Sequence, residues 1–177
     1  MLGRLQVSTA ELVPARRGAL RRRTGLLVLA AVLAGTDLAI KTWAEQALPG
    51  APIEGGPLDL QLAFNPGVAF SFASDAPAWV VVTLTGLITA AVAVALWRTV
   101  ATSPRLWGIA LAAILGGAAA NLADRARDGV VTDYLHTGWW PTFNLADAFI
   151  VLGGITCVAL SFLGSGHEEA QRSAGQH

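Results

Sequence analysis

The chain has 177 residues, and its 12 Lys and Arg balance its 12 Asp and Glu, so the formal net charge is zero. Hydrophobic residues make up 54% of the chain and charged residues only 14%, whereas soluble domains carry about 25% charged residues. The balanced charge excludes a nucleic-acid-binding protein, and the single cysteine excludes a disulfide scaffold. The composition therefore predicts a small multi-pass membrane protein.

Four apolar stretches predict four transmembrane helices. The first covers about residues 25–47, and a cleaved signal peptide is its competing interpretation because three arginines precede a short apolar run. The helical pattern nevertheless continues past any cleavage point, which favours a membrane span. The other three spans cover about residues 78–97, 106–123 and 146–163, and their only charged residue is Asp147. Stretches of 18–20 residues rise about 27–30 Å, enough to cross a bilayer core.

The distribution of arginine predicts that both termini lie in the cytoplasm. Residues 1–24 contain six Arg and one Glu, and Arg98 and Arg105 lie between the second and third spans. By contrast, residues 48–77 contain no Lys or Arg. We therefore expect a membrane domain over residues 25–163, with its outward loops on the extracytoplasmic side. Polar, mobile cytoplasmic tails would flank it over residues 1–24 and 164–177.

The first outward loop carries a β pattern over about residues 57–73. Apolar side chains alternate along residues 58–64, a second β-prone run covers residues 68–72, and Asn65-Pro66-Gly67 lies between the runs. This arrangement is typical of a hairpin of two short strands. The predicted fold class is thus an all-α membrane protein with four transmembrane helices and a small extracytoplasmic β hairpin or cradle.

Polar side chains concentrate at the extracytoplasmic ends of the predicted spans. Inside a bilayer an ionisable group costs about 2.5–3.5 kcal/mol on insertion scales, so such groups are candidates for a functional site. Structural explanations stay open for several of them, including an i,i+4 pair, an interfacial ion pair and a helix N-cap. The cluster consists of Asp37, Lys41, Glu45, Asn121, Asp124, Arg125, Asp133, Asn144 and Asp147.

The chemistry of this cluster favours a pair of carboxylates. His136 is the one histidine on the outward side, so the sequence offers no zinc ligand set, and we expect neither a metal nor a cofactor. Ser71 and Ser74 have no neighbouring base that would activate a nucleophile. Two carboxylates held close together can share one proton, so that one acts as a base on water and the other as an acid.

Five motifs in chain order carry a resemblance to a known family. With the four-span layout they resemble lipoprotein signal peptidase, the bacterial signal peptidase II family, over about residues 25–163. The motifs are Asp37-x-x-x-Lys41, Asn65-Pro66-Gly67-Val68-Ala69-Phe70, Gly116-Gly117-x-x-x-Asn121-x-x-Asp124-Arg125, Gly129-Val130-Val131-Thr132-Asp133-Tyr134 and Phe143-Asn144-Leu145-Ala146-Asp147.

The resemblance implies an aspartyl endopeptidase of the bacterial cytoplasmic (inner) membrane. It would remove the signal peptide from prolipoproteins by cutting on the N-terminal side of a cysteine that carries diacylglycerol. The implied partners are diacylglyceryl-modified prolipoproteins and membrane lipid, and the expected state is a monomer with its active site at the extracytoplasmic face. The alternative is a small proton-coupled carrier that uses the carboxylate cluster as a relay, and a non-enzymatic membrane scaffold is a third possibility.

Carried over residue by residue, the resemblance assigns catalysis to Asp133 and Asp147. The family's fourth motif usually reads Val-Val-Asp-Phe, and here Thr132 is inserted before the acid. Asp124 therefore stays open as the rival of Asp133. The supporting or substrate-binding residues that the motifs imply are Asp37, Lys41, Asn65, Gly67, Ala69, Phe70, Asn121, Asp124, Arg125, Asn144 and Ala146.

Overall fold

The structure, a computed structural model, describes the backbone of residues 9–67 and 77–174 and the side chains of residues 17–67 and 77–163. Within these ranges there are four α-helices and one small antiparallel sheet of two strands. In chain order the elements are α1 (Thr9–Ala47), β1 (Asp59–Asn65), α2 (Ala78–Thr99), α3 (Arg105–Asp128), β2 (Val131–His136) and α4 (Leu145–Ala174).

All four helices are long and apolar enough to cross a membrane, which confirms the predicted number of spans. Their candidate membrane segments are Arg17–Ala47, Ala78–Thr99, Arg105–Asp128 and Leu145–Leu163. Two helices extend into the segments that the sequence predicts to be mobile tails, because α1 begins at Thr9 and α4 ends at Ala174. Ala, Leu and Arg fill most of residues 15–24, and these residues favour a helix wherever no packing opposes it.

Helix α3 lies at the centre of the bundle and packs against the other three helices. Adjacent glycines allow this close approach on two sides. A Cβ atom at Gly116 would collide with the backbone of Ala30 in α1, and one at Gly117 would collide with the backbone of Ala146 in α4. Small residues at such contacts let helix backbones pack closely in membranes. The contact at Gly117 brings the first turn of α4, with Asp147, against α3.

The sheet joins the loop between α1 and α2 to the loop between α3 and α4. β1 pairs antiparallel with β2, with Ala63 opposite Asp133 and Asn65 opposite Val131. The sequence correctly predicts the strand at β1, but it assigns residues 68–72 as its partner, and that segment lies outside the described residues. The described partner is β2, which the sequence analysis did not predict. Gly129 ends α3 in the left-handed conformation, with φ of 76°, and β2 starts two residues later at Val131.

The sheet is attached to the C-terminal end of α1 by a small apolar cluster. Its buried members are Ala44 of α1, Leu48 immediately after α1, and Tyr134 of β2. On the other side of the molecule, α2 and α4 leave large apolar side chains such as Leu87 and Leu152 more than 60% exposed. Apolar side chains on these faces suit contact with lipid, so the helices hold the sheet at one end of a lipid-facing bundle.

Candidate active site

Asp133 lies in the middle of β2 with its side chain turned away from α1. Side chains alternate along a strand, and the neighbouring Thr132 and Tyr134 both reach α1 residues. The carboxylate of Asp133 instead accepts hydrogen bonds from Asn144 Nδ2 at 2.6 Å and from Asn65 Nδ2 at 3.2 Å. Asp133 as a whole is only 2% exposed. Asp133 is thus a buried carboxylate held by two neutral amides.

Asp147 occupies the first turn of α4, where Asn144 caps the helix. The Asp147 backbone N–H donates to Asn144 Oδ1 at 2.9 Å, and the Asn144 backbone N–H donates to Asp147 Oδ2 at 3.3 Å. This reciprocal pair is a capping box, which fixes both side chains relative to the helix. Asn121 Nδ2 of α3 donates to the other oxygen, Oδ1, at 2.8 Å. Asn144 therefore caps α4, and Asp147 is also held by Asn121.

Asn144 connects the two carboxylates. Its Nδ2 group donates to Asp133, while its Oδ1 atom accepts the Asp147 N–H. Burial, together with the negative charge of Asp147, raises the pKa of Asp133 from its ordinary value to about 6, although the hydrogen bonds from Asn65 and Asn144 oppose this rise. The arrangement can hold a proton at near-neutral pH beside a second carboxylate.

A buried lysine forms ion pairs with two other carboxylates next to this pair. Lys41 Nζ lies 3.0 Å from Asp37 Oδ2 and 3.3 Å from Asp124 Oδ2, and each of the three side chains is at most 2% exposed. Lys41 Nζ also donates to Asn121 Oδ1 at 2.7 Å. Asn121 must therefore present its Nδ2 group to Asp147. In this way the charge of Lys41 sets the orientation of an amide that contacts the carboxylate pair.

Asp37 ties three elements together at the same depth. Its Oδ1 atom accepts the backbone N–H of Ala146 at 3.0 Å and the hydroxyl of Tyr134 at 3.4 Å. Burial raises the pKa of Tyr134, so its hydroxyl stays protonated as a donor. The same hydroxyl accepts the backbone N–H of Leu145 at 3.1 Å. Asp37 and Tyr134 thus lock α1 to β2 and to the start of α4.

The structure separates Asp124 from the carboxylate pair. Asp124 Oδ2 accepts the backbone N–H of Thr132 at 2.7 Å and faces Lys41. The inserted Thr132 directs its hydroxyl to Glu45 Oε1 of α1, at 2.7 Å, on the side of β2 opposite to Asp133. The residues brought together around Asn144 are consequently Asp133 and Asp147, and Asp124 supports the strand that carries Asp133.

Two further predicted site residues, Gly67 and Arg125, pack together at the turn that follows β1. Gly67 has φ of 91°, which favours glycine, and its N–H donates to Asn65 Oδ1 at 2.9 Å. A Cβ atom on Gly67 would collide with Val81 and lie 3.4 Å from Arg125 Nε, so the guanidinium of Arg125 packs against this turn. The predicted residues Ala69 and Phe70 lie outside the described residues.

Sequence reasoning missed the contacts of Thr132, Tyr134, Glu45 and Arg127. The signal for Glu45 is its i,i+8 spacing from Asp37, which places it on the face of α1 that carries Lys41. Among the described residues, Glu45, Asp124 and Asp128 form a group of acids whose oxygens lie within 4.8 Å of one another. The guanidinium of Arg127 lies 3.2 Å from Glu45 and 3.9 Å from Asp124 and also contacts Asp128, so an internal cation already occupies the place that a metal ion would need.

An apolar cavity of about 380 Å³ opens beside Asp147. Trp139 and Trp140 form its rim, pack edge to face with ring centroids 5.7 Å apart, and are 80% and 52% exposed. Asp147 is therefore reachable from an open, apolar surface, whereas Asp133 does not line this cavity. The cavity is lined by Thr137, Trp139, Trp140, Phe143, Asp147, Ala148 and Val151.

These features define a class: a small multi-pass membrane protein whose acidic site lies at one end of a four-helix bundle. Two solved structures, each described as a bacterial membrane enzyme, share this fold. One has a TM-score of 0.67 and 22% identity, covering 81% of this chain and 90% of the other. The second has a TM-score of 0.65 and 22% identity, covering 77% of this chain and 92% of the other.

Sequence relatives identify the family. The model of signal peptidase (SPase) II matches residues 29–163. Lipoprotein signal peptidases of Rhodococcus jostii and Mycobacterium avium are each 38% identical over 153 residues, which is 81% of this chain and 75% and 82% of theirs. That of Mycobacterium tuberculosis is 39% identical over 153 residues, covering 81% and 74%. The chain belongs to the signal peptidase II family, and it is thus a multi-pass bacterial membrane peptidase of lipoprotein processing.

Proposed function

We propose that this peptidase is an aspartyl endopeptidase that removes signal peptides from diacylglyceryl-modified prolipoproteins. It would cut on the N-terminal side of the lipidated cysteine, with Asp133 and Asp147 as the catalytic pair. The observation that carries the proposal is the shared Asn144, which contacts both aspartates, while Lys41 forms ion pairs with the neighbouring Asp37 and Asp124. Among the described residues, no cation lies within ion-pair distance of Asp133 or Asp147, and Arg125 acts on the pair from further away. Two acids held close in this way suit acid–base catalysis with one shared proton.

The contacts support a division of roles within the pair. Asp147 borders the open cavity and would take a proton from a water molecule, whose oxygen attacks the scissile carbonyl carbon. Asp133 is buried, its pKa is raised to about 6, and it would donate its proton to the carbonyl oxygen. When the C–N bond breaks, the leaving nitrogen takes the proton that Asp147 received, and Asp133 takes a proton back from a hydroxyl of the tetrahedral intermediate as the carbonyl re-forms. No covalent intermediate with the enzyme forms.

The surroundings of Asp147 suit a substrate that arrives from the lipid. The cavity is apolar apart from Thr137 and Asp147, and its Trp139–Trp140 rim has the amphipathic character of a membrane interface. An apolar signal peptide could reach Asp147 there without crossing water. We further propose that both termini are cytoplasmic, that the site faces outward, and that the membrane domain over residues 25–163 works as a monomer.

The carrier alternative receives less support. A proton relay needs polar groups through the depth of the membrane. Residues 24–36, 79–97, 106–120 and 148–163 contain no Asp, Glu, Lys or Arg. The described ionisable groups lie at the two ends of the bundle, so a relay would have to cross a long apolar interval.

Cleavage of a purified lipid-modified prolipoprotein tests the proposal directly. We expect the purified protein to release a peptide that ends immediately before the lipidated cysteine, as measured by mass spectrometry. The same substrate without diacylglycerol is the control and should remain uncut. Cleavage at another bond, or equal cleavage of both substrates, would contradict the proposed specificity. Full activity of Asp147→Asn would contradict the proposed mechanism.

A further inference from the structure

A basic groove lies between α1 and α3 at the end of the bundle opposite to the Asp133–Asp147 pair. It encloses a cavity of about 460 Å³, lined by Gly18, Arg22, Gly25, Leu26, Arg105 and Ile109. The site residues of α1 and α3 start at Asp37 and Asn121, so several helical turns separate the groove from them. The groove therefore plays no part in the contacts of the carboxylate pair.

The spacing of residues along α1 creates the groove. Gly18, Arg22 and Gly25 follow one another at i, i+4 and i+7, so they share one face of the helix. A Cβ atom at Gly18 or Gly25 would have no neighbour within 4 Å, which leaves the space beside Arg22 open. Arg22 Nη2 donates to the carbonyl oxygen of Pro104 at 2.9 Å. This bond fixes the guanidinium beside α3, and no other hydrogen bond between described residues uses the N–H groups of Arg22.

The charge of the groove is uncompensated within the described part of the chain. None of the ion pairs between described residues involves Arg22 or Arg105. A second cavity, of about 470 Å³, adjoins the first at Gly18 and is lined by Arg17 and Arg21. Between residues 12 and 36 and between residues 76 and 123 the chain contains no Asp or Glu. The arginines thus form a positive surface that attracts an anion from outside the protein.

The deeper part of the groove is apolar. Leu26 and Ile109 line it below the arginines, and the neighbouring Leu106 of α3 is 51% exposed. Guanidinium groups above an apolar, lipid-facing surface match a phosphate head group joined to acyl chains. Basic pockets between transmembrane helices bind anionic lipid head groups in this way. A free phosphate ion would use the arginines but would leave the apolar wall uncovered.

We propose that this groove binds an anionic phospholipid, with its phosphate between Arg22 and Arg105 and its acyl chains along Leu26 and Ile109. The bound lipid bridges α1 and α3, the same two helices that Lys41 and Asp124 join at the other end. The proposal does not depend on which residues catalyse peptide cleavage.

Binding of phosphatidylglycerol to the full-length protein in neutral detergent tests the proposal. The apparent Kd of a fluorescent phosphatidylglycerol is measured, with unlabelled phosphatidylglycerol, phosphatidylcholine and inorganic phosphate as competitors. We expect Arg22→Gln and Arg105→Gln each to weaken binding about fivefold, and about 25-fold together, because each charge contributes separately near the head group. Unlabelled phosphatidylglycerol should compete, whereas phosphatidylcholine and millimolar phosphate should not.

Two further variants distinguish a specific lipid-binding site from general electrostatic attraction between the protein and anionic lipid. Arg98→Gln removes the same charge at the same end of the bundle, from α2 and outside the groove, and should change the Kd less than twofold. Gly25→Leu keeps every charge but fills the cavity, and it should weaken binding at least tenfold. An equal effect of Arg98→Gln, normal binding by Gly25→Leu, or full competition by inorganic phosphate would overturn the proposal. Peptidase activity in neutral detergent reports whether each variant is folded.

Discussion

Two groups of carboxylates lie side by side at the same end of the bundle, and they differ in how their charge is balanced. Asp37 and Asp124 share the buried ammonium of Lys41. Among the described residues, Asp133 and Asp147 have amide donors from Asn65, Asn121 and Asn144 within hydrogen-bond distance, and the guanidinium of Arg125 acts on them from beyond ion-pair distance. Asp133 and Asp124 are almost equally buried, at 2% and 3% exposure. Burial alone therefore does not distinguish a structural acid from a reactive one.

The difference in balance has a physical consequence. A buried charge that is paired with an opposite charge stays ionised, and it stabilises the fold only as long as its partner is present. A buried acid that has a like-charged neighbour and neutral donors can instead hold a proton near neutral pH. We therefore interpret the Lys41 group as the structural support of the site and the Asn144 group as its reactive part.

The largest expected effect concerns the Asn144 group. Asp133→Asn and Asp147→Asn should each lower kcat by about 10²–10⁴-fold, because an amide keeps the size but cannot take or give the proton. Substrate binding should change little, and the thermal unfolding midpoint should change little at pH 4, where Asp133 is protonated in the folded protein. Cleavage assays, binding assays and thermal unfolding check these three outcomes. Glu54→Gln, which removes an exposed carboxylate from the same side of the protein, is the matched control.

The same assays can contradict the assignment of Asp133, and not Asp124, to the reactive group. Asp124→Asn should reduce kcat less than tenfold, since its neighbour Thr132 can still donate its backbone N–H to the amide oxygen. If Asp124→Asn abolishes cleavage and Asp133→Asn retains most of it, Asp124 and Asp147 form the catalytic pair. The insertion of Thr132 would then have shifted the reactive acid along the chain.

The second prediction concerns stability in the Lys41 group. Lys41→Met leaves Asp37 buried without its cation and leaves Asp124 only the guanidinium of Arg127 at 3.9 Å, so it should lower the free energy of unfolding by about 3–5 kcal/mol. Thermal unfolding in detergent measures this loss. Adding Asp124→Asn to Lys41→Met should restore part of the stability because it removes one uncompensated charge. A stability of Lys41→Met equal to that of the wild type would contradict the structural role of this group.

The third prediction uses pH. The pKa of Asp133 is raised to about 6 in the folded protein, so between about pH 4 and pH 6 the folded state binds more protons than the unfolded state. Stability from this group is complete below pH 4 and is lost as pH rises through 6, by up to about 3 kcal/mol. Relative to the wild type, Asp133→Asn should therefore gain stability as pH rises. Unfolding curves from pH 4 to 8 test this sign, and a constant difference would contradict it.

The smallest expected effect is that of a chelator. Excess chelator should leave the cleavage rate unchanged, because Arg127 already occupies the group of acids around Glu45, Asp124 and Asp128. Rates with and without chelator, followed by addition of zinc, provide the measurement. Loss of activity that zinc restores would show that a metal, and not the Asn144 group, supplies the reactive water.

Several features could be predicted from the sequence because they depend on local properties of the chain. Apolar run length predicts the four spans, since every backbone polar group in a bilayer must be bonded within its own helix. The alternating residues 58–64 predict β1, and the positions of the charges predict a polar cluster at one end. Five motifs in order were sufficient to indicate the family.

Other features depend on contacts between distant parts of the chain. A strand pattern does not specify its partner, so the pairing of β1 with β2 became visible only in the folded protein. Likewise, the sequence assigns catalysis to Asp133 but leaves Asp124 open as its rival, whereas the fold directs Asp124 to Lys41 and Asp133 to Asn144. Lys41 lies more than 80 residues from Asp124, and packing of α1 against α3 brings them together. Tertiary structure decides which buried acids receive a cation, because charge compensation depends on distance in space and not on distance along the chain.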